Sequence, residues 1–129
     1  LEEKIKLNRA PVIALLDKED NYSGIKYATI PGGHELNSFI LAMYNVAGPG
    51  QKIGEDTLSK IFNIKNPIDI KIGISLSCTK CPDTVQAAQR IAVENSNIQI
   101  EVIDVFSFKE FKDKVYFGSK SIEEVLNLL

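Results

Sequence analysis

The sequence is poor in the residues that build several common kinds of functional site. Its 129 residues include two cysteines, one histidine and no tryptophan. Two cysteines are too few for a scaffold held together by disulfides, so a disulfide here is expected to be transient, as in a reducing compartment. A structural zinc site needs four ligands, and beyond the two sulfurs the chain offers only His34. A zinc site within one chain is therefore not expected.

Long apolar runs and an excess of one charge are also missing. The longest uninterrupted apolar run covers residues 39–44, far short of the ~20 residues that span a bilayer. Fifteen basic residues face seventeen acidic ones, for a net charge of -2, and no basic run could follow a phosphate backbone. The N-terminus shows no signal-peptide pattern. We therefore expect neither a membrane nor a nucleic acid as partner, and a cytoplasmic location.

The two cysteines that are present, Cys78 and Cys81, are separated by two residues. An alternation of isoleucines over residues 68–76 predicts a strand directly before them. Apolar residues at helical spacing over residues 85–92 predict a helix directly after them. The sequence therefore places the Cys-x-x-Cys motif where a strand ends and a helix begins.

This position favours redox chemistry. Unpaired N–H groups and the dipole at a helix N-terminus stabilise a thiolate, and in such motifs the cysteine pKa falls from ~8.5 to between about 3.5 and 7.5. We expect Cys78, at or before the first helical residue, to be the nucleophile. We expect Cys81, about one turn inside the helix, to be the shielded thiol that resolves a mixed disulfide. The charge of Lys80 would add to the stabilisation of the thiolate.

Three other interpretations are compatible with the motif. Copper carriers also place Cys-x-x-Cys at a strand-to-helix junction, and thiolates suit Cu(I). The thiols could instead be buried and inert. The chain could also be a non-catalytic adaptor that presents a helix over residues 36–47, or a sheet edge, to a partner. The redox interpretation is favoured because the only two cysteines fall together at this junction.

The remaining pattern predicts an α/β fold with two lobes. In the first lobe, residues 1–52, β-prone segments at 12–16 and 25–30 could pair as a hairpin. A helix over 36–47 follows. Because it is apolar around more than half of its circumference, we expect it to be buried between layers. Residues 53–67 form a connector with a weaker helix over 55–62.

The second lobe, residues 68–129, begins with a strand, the cysteine helix and a strand over 98–105. A helical crossover between two strands predicts that they are parallel. The last helix begins with a capping box formed by Ser121 and Glu124. Further predictions here are a helix over 106–114, a short strand over 115–117, and burial of Ile122, Val125 and Leu129 by the last helix.

Residues 75–87 and 33–38 resemble two motifs of the N-terminal domain of the alkyl hydroperoxide reductase flavoprotein subunit. Both motifs occur in the expected order along the chain. The motif at residues 33–38 is followed by the expected helix and by Gly48. The resemblance implies a thioredoxin-like three-layer fold with tandem glutaredoxin-like lobes. The first lobe would lack cysteines, and the second would carry the working pair. In this chain the first lobe would be incomplete, and so would the second if its proline-led strand is absent.

The resemblance also implies a function. The chain would be a protein disulfide oxidoreductase in peroxide defence, relaying electrons from a flavin and NAD(P)H reductase to the disulfide of a peroxiredoxin. Cys78 would attack, Cys81 would resolve, and Glu35 would reach towards them to move protons or raise a thiol pKa. From the residues alone, Glu35 could equally be a favourable acid in a first helical turn, and His34 a capping or surface group.

No Gly-x-Gly-x-x-Gly follows a predicted strand, so this chain is not expected to bind FAD or NAD itself. Those cofactors are expected on a partner domain or subunit. The implied partners are a peroxiredoxin-type protein and a flavoprotein reductase domain, and the chain could also form a homodimer.

The sequence departs from the family pattern in three places. No proline follows Pro82, so the proline-led strand expected beside the cysteine helix is missing from the second lobe. Elements expected before Pro11 are also missing, and the chain opens on Leu1. We therefore expect a truncated chain that lacks an internal segment. Cys-Thr-Lys-Cys also replaces the common Cys-His-Asn-Cys, which bears on the reduction potential. Pro11 matches a proline that introduces an inner strand, and the sequence leaves its isomer open.

Overall fold

The helices and strands follow the hydrophobic periodicity of the chain closely. The computed structural model describes residues 5, 10–108 and 121–129. Within them the regular elements, in chain order, are β1 (Ile13–Leu16), β2 (Tyr22–Ala28), α1 (Leu36–Ala47), α2 (Glu55–Phe62), β3 (Ile68–Ile74), α3 (Cys81–Glu94), β4 (Ile98–Asp104) and α4 (Ile122–Leu128). A 3-10 turn, Gly33–Glu35, leads directly into α1. None of the helices in these ranges is long and apolar enough to cross a membrane.

The described strands form one sheet in the order β1-β2-β4-β3. β1 and β2 are antiparallel, which confirms the predicted hairpin, and β3 and β4 are parallel, which confirms the strand-helix-strand prediction. β2 also pairs with β4 in parallel, with Ile25 opposite Ile100. Strands from both predicted lobes therefore share this sheet. The division into lobes at 1–52, 53–67 and 68–129 stays a prediction.

β2 begins at Tyr22, three residues before the predicted start. The Asp17 carboxylate accepts the backbone N–H groups of Glu19 (2.8 Å) and Asn21 (2.9 Å), which closes the turn early. Two backbone N–H groups bonded to one exposed carboxylate hold its pKa below the ordinary value. The chain can then resume a strand immediately after Asn21. The Ala10–Pro11 peptide bond, before β1, is cis.

The core lies between the sheet and α3. Alternate residues of the strands point to one face, where the apolar face of α3 covers them. The fully buried side chains of this layer include Ile25, Tyr27, Val85, Ile91, Ile98, Ile100 and Val102. The residue spacing that predicted the cysteine helix is therefore the spacing that packs it onto the sheet.

The prediction that α1 is buried between layers is wrong. Its apolar side chains Leu36, Ile40, Met43 and Tyr44 are 43–49 % exposed. The buried positions of this helix are the small or polar residues Ser38, Ala42 and Asn45. A helix that packs on one side buries only a stripe about 100° wide. Apolar residues outside that stripe stay exposed, however many of them the sequence contains.

At the end of the chain the predictions are confirmed in part. The capping box is present, since Ser121 Oγ accepts from Glu124 N (3.2 Å) and Glu124 Oε2 accepts from Ser121 N (2.7 Å). Val125 is buried, and Ile122 is half-buried. The predicted burial of Leu129 is wrong, because it is 41 % exposed after the last helical residue.

The helix predicted over 106–114 does not begin at Phe106. The Asp104 carboxylate accepts from Phe106 N (3.0 Å) and Ser107 Oγ (2.9 Å), so these residues form a turn after β4. A carboxylate that bonds to nearby backbone in this way competes with helix formation. The rest of that predicted helix from residue 109, and the predicted strand over 115–117, lie outside the described residues.

Arg90 connects α3 to the loop between α1 and α2. Its Nε and Nη2 atoms donate to the carbonyl oxygen of Gln51, at 2.9 and 2.6 Å. Its Nη1 atom forms an ion pair with Glu94 one turn later. Arg90 is buried, so both ends of its guanidinium need these partners. The two hydrogen bonds fix the loop against the helix that carries Cys81.

Candidate functional site

Cys78 and Cys81 form a disulfide at the junction between β3 and α3, with Cα atoms 5.6 Å apart. Cys78 is half-buried in the connecting loop, whereas Cys81 is buried. The junction is as predicted, but Cys81 is the first residue of α3 and does not lie one turn inside it. A turn follows β3 before the cysteine pair, where Cys78 N donates to Ser75 O (2.9 Å). α3 therefore begins later than predicted.

The start of α3 points an N–H group at the Cys78 sulfur. Cys81 N donates to Cys78 Sγ over 3.2 Å. The first N–H groups of a helix have no partner within the helix, so this donor is free to stabilise negative charge on sulfur. Pro82, in the first turn, lacks an N–H that the helix does not need. After reduction, the arrangement favours the Cys78 thiolate.

Glu35 ends the 3-10 turn that leads into α1, so it does lie in a first helical turn, but its side chain does not face solvent. It is fully buried, and neither carboxylate oxygen has a hydrogen-bond partner within the described residues. Burial raises the pKa of Glu35 because water no longer stabilises its charge, and the smaller effect of the nearby Ser38 hydroxyl is in the opposite direction. His34, beside it, is exposed.

The turn that carries Glu35 rests on the loop that leads to Cys78. His34 N donates to the carbonyl oxygen of Leu76 over 3.2 Å. Gly33 has φ +55, and a Cβ atom placed on it would lie 2.8 Å from the same Leu76 oxygen. Only glycine adopts this conformation at such close range without strain. The structure thus brings the predicted acid and the cysteine loop into one region, although the role of Glu35 stays a prediction.

Sequence reasoning missed a buried polar chain behind these residues. Tyr27 Oη donates to Gln89 Oε1 (2.8 Å), and Gln89 Nε2 donates to the carbonyl oxygen of Ser38 (2.8 Å). Gln86 Nε2 reaches the Ser38 hydroxyl at 3.2 Å. Burial and the charge of Glu35 both raise the pKa of Tyr27. The available signal was two glutamines three residues apart on a helix whose same side is otherwise apolar.

The site offers little to a metal ion. Within residues 10–108 and 121–129, no three or more His, Cys, Asp or Glu residues gather closely enough to hold one. A dithiol alone could still bind a soft ion such as Cu(I). The arrangement is better suited to thiol–disulfide exchange, because one sulfur is partly accessible and the other lies behind it.

Comparison with known proteins agrees with the fold and the site. A family model of the thioredoxin domain matches residues 68–119. The structure of a protein disulfide oxidoreductase from Aeropyrum pernix K1 superposes with a TM-score of 0.84 at 20% identity, over 98% of this chain and 61% of that one. The fold is therefore thioredoxin-like, with a Cys-x-x-Cys disulfide at the start of its central helix.

Closer relatives identify the family. The N-terminal domain of alkyl hydroperoxide reductase AhpF from Enterococcus faecalis V583 superposes with a TM-score of 0.92 at 36% identity, over 99% of this chain and 69% of that one. The corresponding alkyl hydroperoxide reductase protein of Staphylococcus aureus strain Mu50 is 36% identical over 115 residues, which are 89% of this chain and 22% of the relative. The chain belongs to the family of the N-terminal domain of AhpF. It spans about a fifth of the curated relatives it matches.

Proposed function

We propose that this chain is a protein dithiol–disulfide oxidoreductase module. The observation that carries the proposal is the disulfide at the start of α3, with Cys78 partly accessible and Cys81 buried behind it. An incoming disulfide can reach only the first sulfur, so the order of the two steps follows from accessibility.

In the first step the Cys78 thiolate of the reduced protein attacks one sulfur of the partner disulfide. A bond forms between Cys78 and that sulfur, the partner S–S bond breaks, and the second partner sulfur leaves as a thiolate that takes up a proton. The N–H of Cys81, which points at Cys78 Sγ, stabilises the attacking thiolate.

In the second step Cys81 loses its proton and attacks Cys78 Sγ. The Cys78–Cys81 disulfide forms, the mixed disulfide breaks, and the remaining partner sulfur leaves and is protonated. Two electrons pass from this chain to the partner; the first partner sulfur takes its proton from solvent, and the second is balanced by the proton that Cys81 loses. The Glu35 carboxyl, buried and without a hydrogen-bond partner in the described structure, is the group we assign to accept the Cys81 proton.

The electrons would come from a flavin and NAD(P)H reductase region, on a longer chain or on a separate subunit. They would pass to the disulfide of a peroxiredoxin-type protein in the cytoplasm. The support is the family relationship, since the relatives are several times longer than this chain and are named as subunits of a hydroperoxide reductase.

Reduction of a protein disulfide by stoichiometric amounts of this chain tests the proposal. The chain is reduced with dithiothreitol, freed of reagent and mixed with insulin or an oxidised peroxiredoxin. We expect one partner disulfide to be reduced for each chain that becomes oxidised, as measured by thiol alkylation and mass spectrometry. A reduced chain that leaves both substrates oxidised, while binding Cu(I) stoichiometrically in an anaerobic titration, would instead identify a metal carrier.

A further inference from the structure

Two glutamines of α3 donate hydrogen bonds to the same residue in the first turn of α1. Gln89 donates to the backbone carbonyl of Ser38 over 2.8 Å, and Gln86 donates to its hydroxyl over 3.2 Å. Ser38 and Gln89 are fully buried, so these contacts are not exchanged for water. Ser38 lies one helical turn after Glu35. The glutamines therefore tie the turn that carries the buried carboxyl to the helix that begins with Cys81.

The donor and acceptor groups of Tyr27, Gln89 and Ser38 fix the direction of each hydrogen bond among them. The Ser38 carbonyl can only accept, so the group that faces it must be the NH2 of Gln89. The other side of the amide, Oε1, can only accept, and it lies 2.8 Å from the Tyr27 hydroxyl. Tyr27 must therefore donate its O–H to Gln89. The phenol proton is used in this hydrogen bond and is not available to Glu35. Burial and the negative charge of Glu35 raise the pKa of Tyr27.

Tyr27 therefore offers no hydrogen bond to Glu35, and the Ser38 hydroxyl is the neighbouring group that favours the charged form of Glu35. Tyr27 is the titratable side chain that faces it from β2, and Cys81, once reduced, is buried in the same core from α3. The charged residues of α3 are directed elsewhere, because Asp83 is exposed and Arg90 bonds to Gln51 and Glu94. On its own turn, His34 is exposed.

We propose that Gln89 is a positioning residue for this exchange reaction: by binding Ser38 and Tyr27 together, it holds the Glu35 carboxyl in place and keeps the phenol proton away from it. The proposal rests on the proposed function, in which that carboxyl exchanges a proton with Cys81. Without Gln89, the Tyr27 hydroxyl can turn towards Glu35 and the freed turn can admit water. Both changes stabilise the carboxylate.

The test is the titration of Glu35 in the full, oxidised chain, in which no thiol titrates. Glutamate labelled with 13C at the side-chain carboxyl is followed by NMR, and the Glu35 signal is the one that disappears in Glu35→Gln. We expect the wild-type midpoint to lie above the ordinary glutamate value, and Gln89→Met to lower it by about one pH unit. Gln99→Met, the same chemical change on β4 in a side chain with no hydrogen bond in the described structure, should leave the midpoint unchanged.

Tyr27→Phe gives a second measurement if Gln89→Met does not fold. It leaves Gln89 bound to Ser38, so the Glu35 midpoint should stay close to that of the wild type. A higher midpoint in Tyr27→Phe would show that the phenol had donated to Glu35 and would overturn the proposal. Equal midpoints in wild type and folded Gln89→Met would also overturn it. These titrations need no thiol chemistry, so a chain that fails to reduce disulfides would refute the proposed function without changing them.

The positioning role also has a kinetic signature. Release of a preformed mixed disulfide from Cys78, measured as a function of pH in chains whose Cys81 is a free thiol, should show an inflection that moves in Gln89→Met in the same direction as the NMR midpoint. A uniform loss of rate at every pH would indicate a merely structural role for Gln89 and would contradict the proposal.

Discussion

The backbone N–H of His34 donates to the carbonyl oxygen of Leu76 over 3.2 Å, and Leu76 lies two residues before Cys78. This bond ties the turn that carries Glu35 to the loop that carries the nucleophile. The contact is as close as it is because Gly33, beside His34, has no side chain. The position of the buried acid relative to the cysteines therefore depends on a backbone contact between segments more than 40 residues apart.

Gly33→Ala should weaken this contact. The residue has φ +55 and an added Cβ would lie 2.8 Å from Leu76 O, so we expect a loss of about 1–3 kcal/mol in the free energy of unfolding and slower disulfide exchange. Urea unfolding and insulin reduction measure the two effects. Gly54→Ala is the matched control, because nothing lies within 4 Å of a Cβ placed there. Equal effects of the two substitutions would contradict the importance of the contact.

The two cysteines should separate into a nucleophile and a resolving thiol. Cys78→Ser should lower the rate of disulfide reduction by at least ~100-fold, because the accessible sulfur is lost. Cys81→Ser should accumulate a mixed disulfide through Cys78, since the buried thiol that breaks it is missing. Non-reducing electrophoresis and mass spectrometry detect this adduct. An adduct formed by Cys78→Ser through Cys81 would reverse the assignment.

Glu35 should make the stability of the protein depend on pH. Its folded pKa is raised by burial, so the native state holds a proton that the unfolded state releases. Stability is therefore greatest below the unfolded pKa of Glu35 and falls as pH rises towards the folded pKa. The loss is about 1.4 kcal/mol for each pH unit that separates the two pKa values.

Glu35→Gln removes this titration. We expect the variant to gain stability relative to the wild type as pH rises over the interval above the ordinary glutamate pKa of ~4.3. Urea unfolding of the oxidised protein at several pH values measures the difference. A constant difference between the two proteins across that interval would show that Glu35 titrates normally.

Arg90→Met should destabilise the contact between α3 and the loop before α2. The variant leaves the Gln51 carbonyl without its two donors, which we expect to cost about 1–3 kcal/mol in the free energy of unfolding. Glu94→Gln removes only the partly exposed end of the ion pair and should cost less than ~1 kcal/mol. Urea unfolding compares the two, and a larger effect of Glu94→Gln would refute the role of the Gln51 contact.

Local sequence signals predicted the elements well where a single feature dominates. The alternating isoleucines of β3, the spacing of α3 and the capping box of α4 each express a local rule, and the structure contains all three. Predictions failed where burial depends on which other elements pack against a residue. The apolar side of α1 is exposed because only one side of that helix is packed, and its composition cannot show which side has a neighbour.

For the functional site, too, some features could be predicted from the sequence and others could not. The sequence by itself determined that two thiols lie where a strand ends and a helix begins, because that placement depends on residues adjacent along the chain. Only the tertiary structure decided that Glu35 is buried without a hydrogen-bond partner in the described residues, and that Tyr27, Gln89 and Ser38 form a directed chain behind it. Those relationships join β2, α1 and α3. Burial and hydrogen-bond direction depend on what lies opposite a side chain in space, which the order of residues alone does not specify.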